Sequence, residues 1–270
     1  MTGSTGRIAA IVAKELAELR RNRSALVPVV LVSTVSVLLP FLITVVVPAV
    51  FGEPLSGDAD FEALSRRHLA PGEGLLDNEA RIQAFLFQRF LLLQILVPVT
   101  GAMAFAAYSL IGEKQGRTLE PLLATPITTA ELLVAKTIGA MVPSLAIMLA
   151  GVAVYLAGID ILARPEVTHA VVNPRSMLLV LLVAPLAGLV SLQVTVLISS
   201  RVNDPRTAQQ FGGLVVLPLT VLFLVLFTGA LALTERLILL LAAVLFVSWI
   251  LLLLASVRLF DREAILTRWK

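Results

Sequence analysis

An all-α membrane protein of six membrane-crossing helices is the fold this sequence predicts, on three observations. Hydrophobic residues fill 58% of the 270 positions and charged residues only 14%, against about 25% charged in a soluble domain. Neutral runs lie between Arg23 and Glu53, Arg89 and Glu113, Lys136 and Asp160, Arg175 and Arg201, Arg206 and Glu235, and Arg236 and Arg258. Each holds the roughly 20 residues that a helix needs to cross about 30 Å of hydrocarbon. Their length without alternation excludes barrel strands, the other way of satisfying backbone polar groups in lipid.

The chain opens with an amphipathic stretch, Arg7 to Arg23, in which Ile8, Ile11, Val12, Leu16 and Leu19 recur at helical spacing. This predicts an elbow helix over residues 1–24, lying on the headgroup surface; a continuous extension of the first span has the same periodicity. The spans follow at about 25–51, 90–112, 137–159, 176–200, 208–232 and 237–257. A polar segment precedes the first, whose apolar run exceeds that of a signal peptide, so the span is expected to be retained. Pro28, Pro40, Pro98, Pro143, Pro185 and Pro218 place a potential kink in each of the first five.

Between the spans, residues 53–88 carry Pro54, Gly57, Pro71, Gly72 and Gly74 around a helical piece from Phe61 to Leu69, and read as a modest cap. Asp58, Asp60 and Glu62 lack the remainder of a calcium loop and read as solvated charge. His68 and His169 have no second ligand at metal spacing. Thr128-Thr129-Ala130-Glu131 forms a capping-box start for the third span.

Orientation follows from the cations. The terminal segments and the loops around Lys114 and Arg201 hold 14 Lys and Arg, and the opposite loops hold seven. Both termini are therefore expected to be cytoplasmic, in a plasma (inner) membrane. The net charge of +3 is a topology signal and does not point to nucleic acid. The absence of cysteine excludes disulfides and thiolate-held metals.

The span interiors hold no ionisable residue, whereas ion-driven carriers place such groups at membrane depth. Gln94, Thr100, Gln193 and Thr195, with Ser144 and Thr220, are polar groups that either bond between helices or line a translocation path. Intramembrane hydrolase motifs and a phosphate-binding Gly-x-x-x-x-Gly-Lys-Ser/Thr loop are both lacking. Energy for transport would have to enter from outside the chain. The loop between the second and third spans offers an entry: Glu113 to Leu123 reads as a short amphipathic helix faced by Leu119, Leu122 and Leu123, broken at Thr125-Pro126.

That segment, Glu113-Lys-x-x-Gly-Arg-Thr-Leu-Glu-Pro-Leu-Leu-Ala-Thr-Pro-Ile127 followed by Glu131 and Lys136, resembles the loop of type-two ATP-binding-cassette permeases. Residues 203–210, opening the fifth span, and Phe260-Asp261-Arg262-Glu263 support the resemblance. It implies a permease subunit of an exporter that pairs with a second copy or paralogue in the lipid bilayer. It also implies docking on a cytosolic ATPase subunit that holds the ATP and magnesium, so that this chain carries no cofactor and no catalytic residue. On that likeness Glu113, Arg117, Thr118, Leu119, Glu120, Leu122, Leu123, Thr125 and Pro126 form the coupling element. Short external helices seen between the last two spans of some members have little room here, where only about Ala232 to Arg236 is available. A non-conducting scaffold and an ion-coupled carrier are the competing functions.

Overall fold

The computed structural model describes residues 4–67, 76–116, 128–199, 202, 204–228 and 234–259, and among these there is no strand. Helix α1 spans Ser4–Arg21. Asn22 then leaves helical geometry, and its side chain accepts the Ala25 N–H to cap α2, Arg23–Phe51. The first two helices are thus separate rods. A short α3 (Ala59–Arg67) precedes α4 (Asn78–Gln115) and α5 (Thr129–Leu162). Then come α6 (Val167–Val171), α7 (Pro174–Ser199), α8 (Pro205–Gly212), α9 (Val216–Phe227) and α10 (Glu235–Leu259). Five of these rods, α2, α4, α5, α7 and α10, are long and apolar enough to cross a membrane; α8 and α9, bent by 41°, meet the same test as a pair.

Two rods outrun the expected crossings. Helix α4 has 38 residues, about 57 Å at 1.5 Å per residue, nearly twice the hydrocarbon thickness. It starts at Asp77, which caps it by accepting the Ala80 N–H at 2.6 Å. Much of the expected cap is therefore helix, and Arg81 and Arg89 are buried in it. Charges bound a neutral run, whereas helix ends follow caps. At the start of α5 the anticipated capping box forms, with both Thr128 and Glu131 bonds present.

Proline accounts for the irregular turns. Pro98, Pro185 and Pro218 lack the N–H that would reach the carbonyls of Gln94, Leu181 and Leu214. Those residues lie in a 3₁₀ turn (Leu91–Ile95), a π turn (Leu179–Val183) and a 3₁₀ turn (Gly213–Val215). A further π turn, Leu42–Val46, precedes Pro48 and contains Thr44. Pro143 leaves α5 regular.

Helix α4 is the axis of the bundle, packed by α2, α5, α7 and α8. Its most apolar window is 83% buried, against 11% for α10. Small residues permit this: a Cβ at Gly101 would lie 2.6 Å from Ser144 Oγ of α5 and 3.3 Å from Val29 of α2. Such close approach matters because lipid supplies no hydrophobic drive between helices. At the end of the bundle remote from α1, Tyr155 donates to the Phe87 carbonyl at 2.8 Å and packs edge-on against Phe41 and Phe87. Beyond it, the Glu79 carboxylate accepts the Leu55 and Ser56 N–H groups, and Gln83 Oε1 accepts that of Arg164. The first turns of α4 thereby hold both loops at that end.

Candidate functional site

At the opposite end, α1, α4 and α5 meet around a buried ammonium. Lys136 Nζ lies 2.9 Å from Glu15 Oε1, 2.8 Å from Glu113 Oε2 and 2.7 Å from Ser109 Oγ. The ammonium thus donates to Glu15 and Ser109 and pairs with the Glu113 charge. Glu113 also accepts from Lys14 Nζ, at 2.6 Å. The side chains of Glu15, Glu113 and Lys136 are 8%, 4% and 6% exposed. A single buried charge would cost several kcal/mol, but the four charges here cancel and each has a partner.

A second tie lies near the start of α5, where Arg7 bonds to Glu131 at 2.7 Å. Glu131 also completes the capping box. Eight residues on, Glu15 meets Gly139, whose Cβ would fall 2.9 Å from Glu15 Cβ. Equal steps along both helices set α1 beside the first turns of α5, running in the same sense. Ile11, Leu132 and Ala135 close the apolar side of this contact.

Burial alone would lower the pKa of Lys14, but the hydrogen bond and charge of Glu113 outweigh it and hold the ammonium above the ordinary lysine value. Further along, Asp204 caps α8. The Thr207 N–H and hydroxyl, each 2.9 Å from Asp204 Oδ2, keep this carboxyl below the usual range. Ala208 seats α8 against Ala107 and Ile111 of α4.

Of the residues expected to couple to an ATPase, only Glu113 is described. It turns inward, so its place is at the stem of the loop. Arg117, Thr118, Leu119, Glu120, Leu122, Leu123, Thr125 and Pro126 lie outside the described residues, as do His68 and the segment after Leu259. Gln94, Ser144, Gln193 and Thr195 fall inside the bundle of this single chain, whereas Thr100 is half-buried and Thr220 exposed. Gln94, Gln193 and Thr195 are at most 1% exposed. Thr100 and Thr195 bond back to the Leu96 and Ser191 carbonyls of their own helices, and Ser144 and Thr220 do likewise. Gln193 Oε1 accepts from Ser256 Oγ at 3.0 Å, joining α7 to α10.

The sequence reading did not single out Lys14, Glu15, Ser109 or Lys136 as a group. One signal was present: Glu15 lies i+4 from Ile11 and i−4 from Leu19, within the apolar face of α1. A carboxylate there needs a buried cation.

A sequence profile of the ABC-2 family transporter proteins matches residues 9–257. The chain belongs to the ABC-2 transporter family. This confirms the resemblance carried by the 113–127 loop and makes the protein a multi-pass membrane subunit of an ABC transporter, a kind that is generally not itself catalytic. No curated protein and no solved structure matches it significantly. The match begins within α1 and ends within α10, so the charge network belongs to the family domain.

Proposed function

We propose that this ABC-2 protein is the permease half of an ABC exporter, moved by ATP hydrolysis on a separate cytosolic subunit that docks against residues 113–126. The observation that carries the reading is the tie between Glu113 and Lys136. These residues stand on the two stems of the proposed docking loop, 2.8 Å apart, and both are joined to α1. Force on the loop would reach α1, α4 and α5 together, and α4 contacts most of the remaining bundle. A neutral, flexible connection would absorb the same force locally.

In this reading α8 and α9 count as one bent span, giving six. The end bearing α1 is cytoplasmic, which agrees with the distribution of Lys and Arg. Two permease chains pair in the plasma membrane, with the substrate passing between them. The exposed apolar sides of α2 and α10 are then free for lipid or the second copy. Ion-coupled transport is disfavoured because the charged cluster is internally neutralised at one end of the rods and does not reach their middle.

The test is co-purification with the product of a neighbouring reading frame that carries a phosphate-binding loop. Glu120→Arg is expected to weaken that association with membrane insertion intact. If the variant retains the ATPase undiminished, the loop has no part in docking.

A further inference from the structure

Where α2 and α8 begin, a wide-open cavity of about 510 Å³ lies between them, its wall including the exposed Arg23, Ser24, Val27 and Arg206 with Tyr108 and Gln209. The volume falls in the roughly 300–1,000 Å³ range of small-ligand sites. Among the described residues no carboxylate lines it, and neither arginine enters an ion pair. The nearby Asp204 is held mainly by Thr207 and feels the Arg206 charge only as a lesser influence, without forming an ion pair with it. This differs from the charge network, where Arg7, Lys14 and Lys136 all have carboxylate partners.

Both helices that supply an arginine continue into exposed apolar stripes. On α2 these are Val27, Leu31, Val35 and Leu38; from α8 into α9 they are Phe211, Leu214, Leu217 and Val221. A site with cations at its mouth and apolar walls leading away from it fits an amphiphile better than a free anion.

We propose that this cavity holds the phosphate headgroup of an anionic phospholipid. Arg23 and Arg206 take the phosphate oxygens, for which the planar guanidinium fork is suited. Ser24, Tyr108 and Gln209 supply hydroxyl and amide groups to the remainder of the head, and an acyl chain follows the α2 stripe. Basic pockets between membrane helices on the cytoplasmic side suit such lipids. The assignment rests on the membrane orientation given under Proposed function, and on no property of the ATPase.

The full-length protein is reconstituted in nanodiscs of phosphatidylcholine containing phosphatidylglycerol, and bound lipid is counted by native mass spectrometry. The unaltered chain should enrich phosphatidylglycerol, and R23Q/R206Q should bind it roughly 10-fold or more weakly, each lost contact being a charge-assisted one. R20Q/R21Q removes the same charge from positions on α1 that do not line the cavity and should stay within about twofold, since diffuse attraction is screened within a Debye length. Equal losses in the two double variants would reduce the effect to surface potential and overturn the site. Displacement of the lipid by millimolar inorganic phosphate would overturn the lipid assignment, as would equal retention of the two lipids. Lipid bound selectively by a chain that never associates with an ATPase would leave the site standing while removing the permease reading; the opposite pair of results would do the reverse.

Discussion

Lys136 and Glu15 stand 121 positions apart in the chain, yet their charged atoms lie 2.9 Å from each other in a buried contact between α1 and α5. With Glu113 also against the ammonium, this pair ties three helices together at one end of the bundle.

Replacing Lys136 by Met should cost about 3–5 kcal/mol, because Glu15 is left buried without its cation and Glu113 keeps Lys14 alone of its two cations. A fall in apparent melting temperature in detergent, with faster inactivation, measures it. The triple change Glu15→Leu, Glu113→Leu and Lys136→Met should recover much of that loss, since apolar groups can replace a buried ion cluster. A triple variant no more stable than the single one would show that the network is not isolated from other charges.

Gly139→Val should loosen α1 without removing any charged group. Its Cβ would meet the stem of Glu15 at 2.9 Å, close to the α1 backbone and therefore unable to swing away. Faster proteolysis within α1, at unchanged helical content, is the expected result. A variant as resistant as the parent would mean that α1 does not need the close approach.

Tyr155→Phe removes a hydroxyl that donates to the Phe87 carbonyl at the other end of the bundle. The loss should be about 0.5–1.5 kcal/mol, and it should add to that of Lys136→Met, because distant sites act independently. Melting curves of the double variant test this.

Alkaline pH should release the Lys14 tie. The folded-state pKa of Lys14 is raised, so its contribution is complete below the ordinary lysine value of about 10.4 and is lost as pH rises through the folded value. Protease sensitivity of α1 should therefore be constant through neutral pH and increase only above about pH 10.4. Lys14→Met should remove that increase, and an onset near neutral pH would assign the tie to another group.

Much of the fold was legible in the chain, but through different kinds of evidence. Five of the six long neutral runs fall in helices long and apolar enough to cross a membrane, because unpaired backbone in lipid leaves few alternatives. The Thr128 to Glu131 cap located the start of α5, because a capping box is a local device. The Asp77 cap was equally local, yet the charges at Arg81 and Arg89 obscured it. The candidate site was half visible: the loop carrying the family likeness could be read, and the cluster behind it could not.

By itself the sequence determined that this protein crosses a membrane repeatedly, with its cations biased to one side, since transfer free energies depend on each segment's own composition. Only the tertiary structure decided that Lys14, Glu15, Glu113 and Lys136 share one site, and that Gln94 and Gln193 sit inside the bundle of a single chain. Periodicity shows which residues share a face of one helix but not which helix that face will meet. Partnership between remote charges arises when packing brings the rods together and excludes water from the space between them.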